Sequence, residues 1–145
     1  MIQNVFDLDD TDAVNQNVIN FESIINTTKR KMDAGASFFL TQPVFSKEEA
    51  DRLREIKEET GACIFAGIMP LISRRNALFM KNEIAGINVT DEIVNRYPEN
   101  GSKEDGEKVA VELAKEIISY IDDFADGYYF SFPFNRVYLL NRILG

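Results

Sequence analysis

Three short apolar runs, each followed by a proline, constrain the fold of this chain more than any other feature. The runs cover residues 36–40, 62–68 and 127–132, and the prolines are Pro43, Pro70 and Pro133. Runs of this length suit strands that are covered on both faces, as in a parallel sheet. Proline ends a strand because it has no N–H group to donate to the sheet.

Helical patterns separate these runs along the chain. The first helix is expected to begin near residues 17–20, and Gly35 is placed to cap its end. Ser46 and Glu49 have the spacing of a capping box, which predicts that a second helix begins at Lys47. The second and later helices are predicted over residues 47–59, 73–81, 91–97, 107–122 and 134–144, with a polar loop over residues 99–106.

The resulting order is one helix followed by three strand–helix units, which predicts an α/β fold with parallel strands. Three strands are too few to close the (β/α)8 TIM barrel that such units often build. A small open α/β domain therefore remains possible. We favour an incomplete C-terminal portion of a TIM barrel over residues 17–145, preceded by a poorly specified acidic segment over residues 1–16.

The composition argues against several classes of function. The 145 residues carry a formal net charge of −8, with a pI near 4.6. We therefore expect no binding to nucleic acid or to an anionic membrane, because both need clustered Lys and Arg side chains. The chain has no signal-peptide pattern and no run of about 18 apolar residues, which indicates a cytoplasmic protein.

The chain contains no histidine and a single cysteine, Cys63. The absence of histidine removes the usual general base and the commonest zinc ligand, so we expect no metal site. Any catalysis would depend on other side chains or on a bound cofactor. Gln42 follows the first apolar run, at the carboxyl end of the predicted strand, where parallel sheets place their ligands.

The residues around Gln42 resemble a known family. Residues 31–45, KMDAGASFFLTQPVF, resemble the signature K-x-x-A-G-A-x-x-x-x-T-Q of methylenetetrahydrofolate reductases. Residues 67–79 are similar to the next strand and folate-facing helix of that family, and residues 128–136 to its last strand. Residues 82–98 resemble the bacterial form that is fused to a homocysteine S-methyltransferase. The resemblance extends from about Ala13 to the end of the chain.

The resemblance implies a flavin-dependent TIM barrel. Members of this family pass a hydride from NAD(P)H through FAD to 5,10-methylenetetrahydrofolate and so form 5-methyltetrahydrofolate. The three predicted strands would be the last three of the barrel, with their carboxyl ends at the flavin and folate site. The catalytic acid of the family, a glutamate on an early strand, would precede this chain, so we expect no catalytic residue in it.

The same resemblance implies roles for seven residues. Gln42 would contact the nicotinamide or the pterin, and its amide suits a heterocycle edge because it offers both a donor and an acceptor. The other expected folate contacts are Asn76, Met80 and Arg136, and the expected FAD contacts are Lys31, Arg30 and Thr41. Lys31 and Arg30 have an alternative role, since cations also stabilise the negative end of a helix.

The resemblance leaves two hypotheses for the chain itself. In the first, it is a fragment of the reductase that is inactive alone and needs the missing N-terminal half of the barrel as its partner. In the second, it is a non-catalytic α/β module that forms homo-oligomers, because unpaired strand edges are templates for pairing with another copy.

Overall fold

The computed structural model describes the backbone of residues 13–145 and the side chains of residues 20–145. Residues 1–12 of the predicted acidic segment, residues 1–16, lie outside the described residues. The described elements are, in chain order, α1 (Ala13–Asp33), β1 (Phe39–Pro43), α2 (Lys47–Thr60), β2 (Ile64–Ile68), α3 (Arg74–Glu83), α4 (Asp91–Asn95), α5 (Lys103–Ile121), β3 (Gly127–Phe130) and α6 (Leu139–Leu144).

The strands form one parallel sheet in the order β1-β2-β3, so each strand lies beside its neighbour in the sequence. The prediction of a parallel α/β architecture is confirmed. Each connection moves one strand further in the same direction. Crossovers of the usual right hand then place all the connecting helices on the same side of the sheet.

The expectation that β1 would be covered on both faces was wrong. Phe39 and Thr41 are buried, as are Ile64, Ala66 and Ile68 of β2. Between them in β1, Leu40 is 42% exposed, and the preceding Phe38 is 56% exposed. Since successive side chains of a strand point to opposite faces, one face of the sheet carries the helices and the other is open. We call the face without helices, which carries the side chains of Phe38 and Leu40, the open face.

The prediction that Pro43 ends the pairing of β1 with β2 was also wrong. Pro43 is the last residue of β1, and the next N–H group, that of Val44, donates to Gly67 O at 3.0 Å. β1 lies at an edge of the described sheet, where the missing N–H group of a proline is tolerated. Strand β1 also begins at Phe39 rather than at Ala36, so Thr41 and Gln42 lie inside the strand.

The first helix starts earlier than its side-chain pattern predicts. Its backbone is helical from Ala13 rather than from residues 17–20. Its end agrees with the prediction, because Gly35 adopts a φ of +105° and its N–H group donates to Met32 O at 2.9 Å. A positive φ of this size suits glycine, which carries no Cβ.

Helix α5 extends into the segment that was predicted as a loop. It begins at Lys103, and Ser102 and Asp105 form a complete capping box in which each side chain accepts from the backbone of the other. Gly106 lies within this helix rather than before it. A Cβ at Gly106 would lie 2.0 Å from Ile72 O, so the glycine allows the helix to pass close to the turn between β2 and α3.

The last helix is shorter than predicted, because α6 begins at Leu139 instead of Phe134. Phe134 and Asn135 adopt φ values of 51° and 59°, which break the helical path. Two consecutive non-glycine residues in the left-handed region mark a strained turn after β3. In the described part of the chain, no helix combines the length and the apolar character needed to cross a membrane.

Candidate functional site

The carboxyl half of β1 carries a β-bulge. Leu40 is opposite Phe65 and Pro43 is opposite Gly67, so three steps along β1 correspond to two steps along β2. A bulge inserts one residue into a strand and changes the direction of the side chains around it. The extra residue falls at Thr41 or Gln42, the pair that the sequence singles out.

Thr41 closes this bulge with its side chain. Its hydroxyl group accepts the N–H group of Gly67 at 3.0 Å and donates to Gln42 O at 2.7 Å. The residue is only 2% exposed. The hydroxyl group of Thr41 is therefore engaged within the sheet, where it replaces a backbone carbonyl as the partner of β2.

Across the bulge the exposure of the β1 side chains still alternates: Phe39, Thr41 and Pro43 are buried, Leu40 is exposed and Gln42 is half-buried. This places Gln42 on the side of the open face, near the carboxyl end of the strand. The side chain is not isolated, since it interacts with another part of the chain. The sequence-based location of this amide, at the carboxyl end of a parallel strand, agrees with the structure.

Two glycine–aromatic pairs shape the open face beside Gln42. Phe65 of β2 is opposite Gly127 of β3, and Gly67 of β2 is opposite Tyr129 of β3. In each pair the ring lies over the glycine: a Cβ at Gly127 would be 2.7 Å from the Phe65 ring, and a Cβ at Gly67 would be 2.7 Å from Tyr129 Oη. The open face is therefore covered locally by rings that lie along the sheet.

Phe38 and Tyr129 continue this aromatic surface. The ring of Phe38 meets that of Phe65 edge-on, with centroids 5.7 Å apart and an interplanar angle of 85°. Tyr129 reaches across β2, and its hydroxyl group donates to Thr41 O in β1. Partial burial raises the pKa of Tyr129, so the hydroxyl group keeps its proton. Sequence analysis missed this residue, although a glycine inside a predicted strand indicates a close approach.

The structure does not bring the proposed FAD-binding cations to the same end of the sheet as Gln42. Arg30 and Lys31 are exposed in the last turn of α1, which leads directly into the amino end of β1. Arg30 Nη2 donates to Thr27 Oγ1 at 3.3 Å, and Lys31 also interacts within the chain. A strand of five residues spans roughly 16 Å, which separates these cations from the end of β1 that holds Gln42.

Asn76 and Met80 lie on α3, the helix that follows β2. Ser73 caps this helix by accepting from Asn76 N at 3.0 Å, and Asn76 Oδ1 accepts from Ile72 N at 3.1 Å. The amide oxygen of Asn76 therefore already accepts a hydrogen bond in the turn before α3. Its amide NH2 group has no hydrogen-bond partner within residues 20–145. Met80 is half-buried and packs against the hydrophobic core.

Arg136 lies next to Glu107 of α5. Its Nε atom is 3.5 Å from Glu107 Oε1, and the side chain of Glu107 is only 7% exposed. Arg142 Nη1 lies 3.5 Å from the other carboxylate oxygen, and the hydroxyl group of Tyr138 donates to the same carboxylate. We call Glu107, Arg136, Tyr138 and Arg142 the Glu107 cluster. It fastens the segment after β3 to α5, and sequence analysis did not identify it.

Glu49 is a second buried carboxylate that sequence reasoning assigned to a different contact. Ser46 caps α2 as predicted, with Glu49 N donating to its hydroxyl group at 3.2 Å. The Glu49 carboxylate, however, accepts from Phe45 N at 2.8 Å instead of closing the box on the N-cap. Burial raises the pKa of Glu49 to about 7, while the Phe45 N–H group and the Asn88 side chain lower it by smaller amounts.

The sequence profile of methylenetetrahydrofolate reductase matches residues 12–128, which is most of the 145-residue chain. The chain belongs to the methylenetetrahydrofolate reductase family. Comparison with curated proteins gives no significant match. Membership of this family indicates a methylenetetrahydrofolate reductase-like function, that of an oxidoreductase.

The range matched by the methylenetetrahydrofolate reductase family includes six of the seven predicted site residues. These are Arg30, Lys31, Thr41, Gln42, Asn76 and Met80. Arg136 lies beyond residue 128, so its similarity to the family rests on the sequence resemblance alone. Among the residues that the structure describes, no group of three or more carboxylate or cysteine side chains is arranged to hold a metal ion.

Proposed function

We propose that the chain forms three consecutive strand–helix units of an FAD-dependent 5,10-methylenetetrahydrofolate reductase. Family membership, the sequential order β1-β2-β3 and the placement of helices on one face support this assignment. In a (β/α)8 barrel each strand neighbours the next in sequence, helices cover the outside, and the inner face receives the other strands. The open face would then be the inner wall of the barrel.

Gln42 is the residue that we assign to the folate and the nicotinamide. The observation that carries the proposal is its position on the open face, at the bulged carboxyl end of β1, within the family signature. Its amide would donate to and accept from the edge of either heterocycle without adding charge. Asn76 would donate to the folate through its free NH2 group, Met80 would offer an apolar contact, and Arg136 would reach the substrate only by leaving Glu107.

FAD is the cofactor implied by the family, and the described residues fit it in part. When bound, FAD supplies the hydride carrier between NAD(P)H and the folate. Lys31 and Arg30 would pair with its pyrophosphate, since exposed cations suit that group. They lie one strand length from Gln42, a distance that the cofactor would have to span. The hydroxyl group of Thr41 already bonds Gln42 O and Gly67 N, so it would not bind FAD directly. Thr41 would contribute to the cofactor site by holding the backbone of β1 in place.

We also propose that the 145-residue chain does not turn over alone. A site formed by three strands leaves the open face in contact with water, and Leu40 shows this by its 42% exposure. Hydride transfer needs a site from which water is excluded. The remaining strands of the barrel are therefore the expected partner, and residues 17–145 would be the part that joins them.

The test is to express the chain alone and together with the preceding half-barrel of a reductase of this family. We expect the pair to co-purify, to retain a yellow flavin and to reduce 5,10-methylenetetrahydrofolate to 5-methyltetrahydrofolate with NAD(P)H as the hydride donor, while the chain alone forms none. Gln42→Ala should lower the activity of the pair about 10- to 100-fold, and Asn100→Ala, in an exposed loop, should not. A colourless, inactive pair would reject the proposed function.

The open face supports a second candidate, a non-catalytic module that self-associates. Parallel sheets are almost always covered on both faces, and here Phe38 and Leu40 remain exposed. A second copy of the chain could cover these side chains as well as a half-barrel could. The two candidates are compatible, since a fragment of the reductase could also self-associate. A monomeric chain at high concentration would count against the second candidate, whereas flavin retention and activity of the pair would support the first.

A further inference from the structure

The bulge in β1 receives a hydrogen bond from β3, the strand at the other edge of the described sheet. Thr41 turns its hydroxyl group towards β2, where it receives the Gly67 N–H group. The hydroxyl group of Tyr129, two strands away, donates to the Thr41 carbonyl. The peptide group that joins Thr41 to Gln42 is therefore held through its oxygen by β3.

Only the absence of a side chain at Gly67 makes this contact possible. A Cβ there would lie 2.7 Å from Tyr129 Oη and 2.8 Å from Cζ, distances that real Cβ atoms do not tolerate. The phenol ring therefore passes over β2 in contact with its backbone. The neighbouring Tyr128 points to the opposite face, where its hydroxyl group donates to Asp122.

We propose that Tyr129 is a positioning residue for Gln42: its hydroxyl group, passing over Gly67, holds the Thr41–Gln42 peptide and so orients the Gln42 amide on the open face. The inference rests on the proposed function of Gln42 but adds a residue outside the family signature in β1. A bulge re-aims the side chain next to it, and here the orientation of the bulge is fixed by a hydrogen bond that spans the sheet. Tyr129 itself contacts neither substrate nor cofactor in this role.

Three variants of the 145-residue chain test the proposal. Tyr129→Phe removes the hydrogen bond and keeps the ring. Gly67→Ala displaces the ring, because the added Cβ would overlap the hydroxyl group. Tyr128→Phe is the matched control, since it removes one tyrosine hydrogen bond from the same strand on the helix-covered face.

The first measurement needs no ligand. In 15N-labelled chain, we expect Tyr129→Phe and Gly67→Ala to shift the side-chain NH2 and backbone N–H resonances of Gln42, while Tyr128→Phe leaves them in place. Tyr129→Phe and Tyr128→Phe should lower the melting temperature by similar amounts. Gln42 resonances that coincide in wild type and Tyr129→Phe would overturn the proposal.

The second measurement uses the same variants, each co-expressed with the preceding half-barrel, and titrates these pairs with 5-methyltetrahydrofolate. Tyr129→Phe should raise the dissociation constant about three- to tenfold, the range expected when one hydrogen bond no longer orients a binding group, and Tyr128→Phe should not. Equal losses in both tyrosine variants would mean that affinity follows stability, which would reject a positioning role. If the wild-type pair binds no folate, that result counts against the proposed function, and the Gln42 resonances alone decide the role of Tyr129.

Discussion

Glu49 is a carboxyl group that the fold keeps almost completely out of water, with 1% of the residue exposed. Its Oε2 atom accepts from Phe45 N, whereas Oε1 has no hydrogen-bond partner. The Asn88 side chain lowers the pKa of Glu49, but by less than burial raises it. Burial dominates because an ionised carboxylate loses its hydration there, and the pKa of Glu49 rises from 4.5 to about 7.

The raised pKa of Glu49 predicts that the chain loses stability as the pH increases. The folded chain holds this proton up to about pH 7, whereas the unfolded chain releases it near pH 4.5. The stabilising contribution is therefore complete below pH 4.5 and is lost between pH 4.5 and pH 7, by up to roughly 3 kcal/mol. Glu49→Gln should remove this slope in urea unfolding and stabilise the chain above pH 7.

Glu55→Gln is the control for this experiment, because Glu55 is an exposed carboxylate on the same helix. An equal pH slope in wild type and Glu49→Gln would contradict the assignment. Four carboxylates have lowered pKa values instead, and their protonation destabilises the fold only below about pH 4.5. They are Asp105, Glu116, Asp123 and Asp126. Their effect on stability therefore falls in a different pH range from that of Glu49.

Single residues differ in how far the sequence can predict their roles. Gln42 could be located because its position depends on a short local pattern, an apolar run followed by polar residues. Tyr129 could not, because its contact joins residues 88 positions apart across another strand. The role of Glu107 could not be predicted for the same reason, since its partners Tyr138 and Arg142 lie about 30 residues away along the chain.

At the scale of elements, α5 shows how a glycine can mislead. Gly106 follows a polar stretch and predicts a loop, but the Ser102–Asp105 capping box already starts the helix. The glycine serves a tertiary contact, since a Cβ at this position would meet the carbonyl of Ile72 in the turn between β2 and α3. The local capping box determines where the helix begins, and the contact with another element explains why a glycine lies inside it.

Gly106→Ala should therefore destabilise the chain even though alanine is the better helix former. The propensity gain is about 1 kcal/mol. The added Cβ would overlap Ile72 O at 2.0 Å, and overpacking against backbone costs about 1–3 kcal/mol or more. We expect a net loss of about 1–2 kcal/mol in the free energy of unfolding, measured by urea denaturation.

Glu112→Ala is the control for Gly106→Ala, because Glu112 lies in the same helix but is exposed to solvent. Its stability should change by no more than about 0.5 kcal/mol. A Gly106→Ala variant that is more stable than wild type would show that the helix can move away from the turn between β2 and α3.

At the scale of the whole molecule, the open face determines how the chain behaves alone. The strand order and the one-sided helices could be predicted from the alternation of elements. The open face could not, because an apolar run has the same appearance whether its second face meets helices or the other strands of a barrel. Phe38 and Leu40 show this ambiguity, since both are apolar and both are exposed.

We predict that the purified chain self-associates through the open face. Sedimentation at tens of micromolar should give a mass above the 16.5 kDa of the monomer. Phe38→Ser with Leu40→Thr should shift the chain to the monomer, because these changes remove exposed apolar area from that face. Phe79→Ser, which removes a side chain of similar exposure from α3, should not. A monomeric wild-type chain would exclude this behaviour.

The Glu107 cluster has a consequence for epistasis. Arg136, Tyr138 and Arg142 all contact the carboxylate of Glu107. The effects of their substitutions on the free energy of unfolding should therefore depend on one another. Tyr138→Phe should cost about 1 kcal/mol in wild type and much less in a Glu107→Ala background, a difference that a double-mutant cycle measures. Additive losses would mean that the partners act separately. Once Glu107 is substituted, the segment after β3 becomes free to accept changes that the intact chain would not tolerate.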